Sequence, residues 1–92
     1  MEIIFVKTTT CTKCRQLLPE FEDWCNKNNI NYRVVCFDTA SNEDKDIILK
    51  EKVCSVPSII ISENAFRKAY SVDNGLASVV SAVNEFNTRE GV

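Results

Sequence analysis

Two cysteines three positions apart, Cys11 and Cys14, are the residues of this chain best placed to do chemistry. On a helix, side chains at i and i+3 lie about 5–6 Å apart. A disulfide needs Cα atoms about 4.4–6.8 Å apart, so the pair can bridge with little backbone movement. The ring such a bridge closes holds only four residues. Loop-closure entropy assigns it about 2 kcal/mol, which makes a structural staple the weaker reading. Thiol–disulfide exchange is the stronger one. Half of a metal site, or two core cysteines that happen to be neighbours, remain open as alternatives.

The elements around the pair decide which sulfur attacks. An apolar run, Ile3-Ile4-Phe5-Val6, is too short for a helix and reads as a buried strand over Glu2 to Lys7. Thr8-Thr9-Thr10 follow as a polar loop, and Thr10 is suited to cap the coming helix. The helix is expected from about Thr12 to Lys27, with Cys14, Leu17, Leu18, Phe21, Trp24 and Cys25 on one apolar face. Cys11 then sits at the helix N-terminus, where backbone N–H groups lack partners and the dipole is positive. Lys13 adds a charge of the same sign. Both favour a Cys11 thiolate, so Cys11 is expected to attack and Cys14 to resolve. Lys7, at the strand end, reads either as a solvated lysine or as a cation that holds the carboxylate of a thiol substrate.

Further along, Pro19 removes a donor inside the helix and should bend it. Glu20, Glu22 and Asp23 read as a solvated outer face. Asn31 to Asp38 reads as a second strand, apolar on both faces and therefore interior, with Cys36 structural. A second helix is expected from Glu43 to about Lys52, started by Ser41 or Asn42, with Ile47, Ile48 and Leu49 on its buried side. Pro57 opens a strand through Ile61. Asn64 turns the chain into Ala65 to Ser71, making an antiparallel hairpin. The last helix begins near Asp73-Asn74-Gly75, with Leu76, Val79, Val80, Val83 and Phe86 facing inward. The first strand, helix and second strand imply a right-handed parallel unit.

Composition bounds the function. The chain has 92 residues, enough for one small domain over 1–92, with a frayed tail at 88–92. Net charge is −2, which gives no reason to expect nucleic acid or a membrane surface as partner. No apolar run is long enough to span a bilayer, and the first is too short for a signal peptide. A cytoplasmic monomer is therefore expected. Five cysteines, an odd count, do not suit a secreted disulfide scaffold. There is no histidine, which removes Cys–His catalysis and His-containing zinc sites.

The order β-α-β-α-β-β-α with Cys-x-x-Cys between the first strand and helix resembles the thioredoxin fold in its short, glutaredoxin-like form. Three features carry the resemblance over about residues 2–88: Thr10-Cys11-Thr12-Lys13-Cys14, Pro19, and Ser55-Val56-Pro57. It implies an α/β thioredoxin fold, a central four-stranded mixed sheet flanked by three helices. It implies a cis Val56–Pro57 peptide that sets Pro57 against the sulfurs, and a Val56 backbone that pairs with an incoming peptide or glutathione. It implies a thiol–disulfide oxidoreductase that reduces protein disulfides through a Cys11–Cys14 redox disulfide. No cofactor is bound in that cycle; glutathione or a thioredoxin reductase is the external reductant. Glutathione would be held by Lys7, Lys13, Val56, Asp73 and Asn74. Ribonucleotide reductase is a possible client, since small redoxins that serve it also lack a proline in the motif. The chain departs from thioredoxins in having no tryptophan before Cys11, and from glutaredoxins in having Gly75 alone before the last helix. Cys54, three residues before Pro57, reads as a third redox thiol, an oxidation sensor or an incidental cysteine. The competing readings are a binding module without turnover and a thiolate metal site of Cys11, Cys14, Cys36 and Cys54.

Overall fold

The computed structural model describes residues 1–90. Strand β1 (Glu2–Lys7) leads to helix α1 (Thr12–Lys27), strand β2 (Asn31–Cys36), a short 3₁₀ turn (Phe37–Thr39) and helix α2 (Asn42–Lys50). The hairpin β3 (Ser58–Glu63) and β4 (Phe66–Ser71) follows, and helix α3 (Leu76–Glu90) closes the chain. The sheet order is β2-β1-β3-β4, with β1 parallel to β2 and antiparallel to β3, and β3 antiparallel to β4.

Alternation along β1 and β3 builds two cores. Ile3, Phe5, Ile59 and Ile61 face α1 and α3, where Leu17, Phe21, Val79, Val83 and Phe86 meet them. Ile4, Val6 and Ile60 face the other way, toward Val35 and Ile48. All four apolar residues of β1 are buried, as a strand covered on both sides requires.

Helices α1 and α2 end alike. Asn29 (φ +54°) and Lys52 (φ +59°) take the left-handed conformation just past the two helices. Ile30 N–H then donates to Cys25 O at 2.9 Å and Val53 N–H to Ile48 O at 3.2 Å, the Schellman pattern. Asn64 (φ +57°) turns the β3–β4 hairpin as the sequence suggests.

Four expectations need correction. β2 is an edge strand, paired among the described residues with β1 alone. Its apolar residues reflect partial cover from the helices: only Val35 is buried, with Tyr32, Val34 and Cys36 half-buried, whereas β1 buries four residues in a row. It stops at Cys36, because Phe37–Thr39 coil into the 3₁₀ turn. The residue capping α1 is Cys11, whose backbone is extended (φ −81°, ψ 103°) and whose sulfur accepts from Cys14 N–H. Thr10 thus stays in the loop. Leu49 is 63% exposed, because three consecutive helical residues span too wide an arc for one short helix to bury them all. At the far end α3 runs on to Glu90; the remainder of the expected tail, 91–92, lies outside the described residues.

Candidate active site

Strand register gathers the site at one end of the strands. β1 ends there and feeds the Thr8–Thr10 loop. β3 runs antiparallel to β1, so its start and the preceding Val56-Pro57 lie at the same end, with Val6 opposite Ser58. β4 runs back, placing Ser71 opposite Ser58 and the 72–75 segment beside Pro57. Val72 N–H donates to Pro57 O at 3.1 Å and ties the two loops together. The Val56–Pro57 peptide is cis, as the resemblance implies.

Cys11 and Cys14 are joined as a disulfide, with Cα atoms 5.2 Å apart. The two sulfurs differ in access. Cys14 is 1% exposed and belongs to the core under α1, whereas Cys11 is partly open. Cys14 N–H donates to the Cys11 sulfur at 3.1 Å. A negative charge developing on Cys11 would therefore meet a backbone donor and the positive end of α1.

Two grooves border the Val56-Pro57 segment. One, of about 320 Å³, runs between α1 and the 72–75 segment and gathers Lys13, Glu20, Pro57 and Asp73. The other, of about 240 Å³, lies on the α2 side and is apolar, with Phe37, Leu49, Val53 and Val56 beside Cys54. Of the residues expected to hold substrate, Lys13, Pro57 and Asp73 share the first groove. Val56 lines the second instead. Asn74 faces a separate hollow with Ser78 and Glu85. Lys7 is half-buried opposite Cys36 in the β1–β2 register and lines neither groove.

Two placements near the site escape sequence reasoning. Glu20, expected on a solvated face, lines the Lys13 groove; it lies seven residues from Lys13, two helical turns along the same side. Asp38 reaches across to the cysteine loop. Its Oδ2 accepts from Thr9 N–H and from the Thr9 hydroxyl, each at 2.8 Å. The backbone bond first, then the hydroxyl, holds the Asp38 carboxyl below its ordinary value of 3.8. An acid at the end of the expected second strand, and a run of threonines after the first, are the signals the sequence offers for this tie.

The remaining cysteines are dispersed. Cys25 is fully buried, and burial, helped by Glu22, pushes its thiol up to about 11. Cys36 is half-buried and Cys54 exposed. Among the described residues no three His, Cys, Asp or Glu side chains gather to hold a metal ion. No described helix is long and apolar enough to cross a membrane.

No protein-family model matches the sequence, and no curated protein matches it. Solved structures do match. Thioredoxin 1 of Thermosipho africanus is similar over 100% of both chains, at 19% identity and a TM-score of 0.74. Fasciola hepatica thioredoxin aligns with 96% of this chain and 78% of its own, at 17% identity and a TM-score of 0.70. Thioredoxin O2 of Arabidopsis thaliana, in its oxidized state, aligns with 91% of this chain and 72% of its own, at 17% identity and 0.71. At such identities the likeness is one of fold, and the fold is that of thioredoxin.

Proposed function

We propose that this thioredoxin-fold chain is a thiol–disulfide oxidoreductase that reduces disulfides in protein substrates. The observation that carries the reading is the asymmetry of the Cys11–Cys14 disulfide: an accessible sulfur at a helix N-terminus, backed by a buried one.

In the reduced protein the Cys11 thiolate attacks one sulfur of a substrate disulfide. A Cys11–substrate disulfide forms and the other substrate sulfur leaves as a thiolate, taking a proton from water. Cys14 loses its proton and attacks the Cys11 sulfur. This restores the Cys11–Cys14 disulfide and releases the second substrate sulfur. Two electrons and two protons have passed to the substrate. An external thiol, glutathione or the dithiol of a thioredoxin reductase, repeats the exchange in reverse to reset the pair. The Lys13–Glu20–Asp73 groove supports glutathione as one such thiol, because it offers a cation for a carboxylate and anions for an ammonium. The apolar groove at Val56 supports an extended segment of a protein client. A reducing cytoplasm is the compartment in which this cycle runs toward substrate reduction.

The test is insulin disulfide reduction in two arms, one with glutathione and its reductase, the other with thioredoxin reductase and NADPH. Turnover in either arm, abolished in Cys11→Ser, is the expected result. In Cys14→Ser, mixed disulfides on Cys11 should accumulate. Silence in both arms would overturn the reading in favour of a binding module, and full activity in Cys11→Ser would overturn the assignment of the exchange to Cys11.

A further inference from the structure

We propose that Asp38 is the positioning residue that holds the β1–α1 loop in the geometry in which Cys11 reacts. The inference rests on the thiol-exchange reading and adds to it a residue from the end of another strand.

Thr9 lies two residues before Cys11 and 29 before Asp38, so the bond between them is tertiary. Both Thr9 donors converge on one carboxylate oxygen, Oδ2, each at 2.8 Å. From the other side, the Arg15 guanidinium donates to Thr9 O at 3.4 Å. Cys11 N–H donates to Thr8 O at 3.4 Å. The loop is thus pinned at Thr9 between the 3₁₀ turn and α1, and the pin is passed on to Cys11 through two peptide units. Cys11 must keep its extended backbone (φ −81°, ψ 103°) for its sulfur to receive Cys14 N–H at 3.1 Å. A threonine released from Asp38 lets that backbone turn, and the thiolate loses its donor.

Asp38 is exposed, and Lys45 of α2 faces it. Water would satisfy the same donors, so the carboxylate contributes little to holding the fold together. What it supplies is direction.

The charge of Asp38 acts on Cys11 with the opposite sign to its positioning. Removing a nearby negative charge makes a thiolate easier to form and lowers its pKa. Losing the loop geometry removes the Cys14 donor and raises it. The two effects therefore separate in one experiment: residue-resolved alkylation of Cys11 in the reduced full-length chain as a function of pH, read by mass spectrometry. In Asp38→Ala the Cys11 pKa is expected to rise and alkylation at neutral pH to slow by about tenfold. Asp38→Asn keeps an oxygen acceptor without the charge and is expected to restore most of the rate. Arg33→Ala breaks the Arg33–Asp44 pair on the α2 side without touching the loop, and is expected to leave Cys11 reactivity as it was.

A Cys11 pKa that is unchanged or lowered in Asp38→Ala overturns the proposal. So does an equal slowing in Arg33→Ala, which would mark a general loosening. If Asp38→Ala does not fold, Thr9→Val removes the hydroxyl donor alone. It is expected to slow alkylation by about threefold, and a folded Thr9→Val with unaltered Cys11 reactivity overturns the proposal. Failure of the oxidoreductase reading itself looks different: Cys11 alkylates as expected, yet the wild-type protein reduces no disulfide.

Discussion

Against one face of the sheet, α1 and α3 help to bury thirteen described side chains, with three phenylalanines at their centre. Against the other face, β1, β2 and β3 bury four and α2 adds only Ile48. The thick face holds Cys14 and fixes the base of α1. The thin face leaves Leu49 exposed and opens the apolar groove beside Cys54 and Val56. The division separates stability from access: one side of the sheet anchors the Cys14 sulfur, and the other leaves an apolar surface open beside Cys54 and Val56.

Phe21 is where that contrast should be most visible. It is fully buried, 5.0 Å from the Phe5 ring and 5.5 Å from the Tyr32 ring between centroids. Phe21→Ala is expected to cost about 3–5 kcal/mol in urea unfolding. Ile48→Ala, on the thin face, should cost about 2 kcal/mol, the low end for its type, because α2 borders an open groove into which it can settle. Equal losses at the two positions would break the comparison.

The thin face is also held by charge. Arg33 on β2 pairs with Asp44 on α2 at 2.9 Å, and that bond holds the Asp44 carboxyl below its ordinary 3.8. A carboxyl whose folded pKa is depressed stabilises the fold fully above the unfolded value and loses that contribution as pH falls through the folded one. Arg33→Ala should therefore cost up to about 1 kcal/mol near neutrality, for a partly exposed pair. The gap from wild type should close as the pH drops below 3.8 toward the folded value, which urea titrations at several pH values would show. A gap that persists in acid would mean that Arg33 acts through packing of its stem. Leu49→Ala, smallest of all, should change stability by no more than about 0.5 kcal/mol. A larger loss would place Leu49 in the core after all.

Most of this architecture is legible in residue order because it follows from periodicity and punctuation. The runs Ile3–Val6 and Ile59–Ile61, the α1 stripe, and the turn at Asn64 each announce themselves locally. What sequence reasoning misses is relational. The edge position of β2 depends on where β3 pairs, and nothing within Asn31–Cys36 encodes that choice. The burial of Ile48 rather than Leu49 depends on how α2 is rotated against the sheet. Of the candidate site, Cys11, Cys14 and Pro57 stand out by type and spacing. Lys13 and Asp73 do share a groove, but Val56 and Asn74 face elsewhere, because cis-proline and helix-start segments present successive residues to different sides. Glu20 and Asp38 look like ordinary surface acids until the chain folds Asp38 onto Thr9 and sets Glu20 in the groove that Asp73 also lines.

The place of β1 in the sheet has a consequence for isotope exchange. It is bonded along both edges, to β2 and β3, and its interior is buried on both faces. Its amides open to deuterium only when the whole sheet comes apart, so they should be among the last in the molecule to exchange. The loop that begins one residue later, at Thr8, has no ladder to protect it. The protein thus steps within a few residues from a fully laddered strand to a loop whose Thr9 and Cys11 N–H groups rest on single hydrogen bonds, to Asp38 and Thr8, and the Cys11 sulfur hangs at the end of that step.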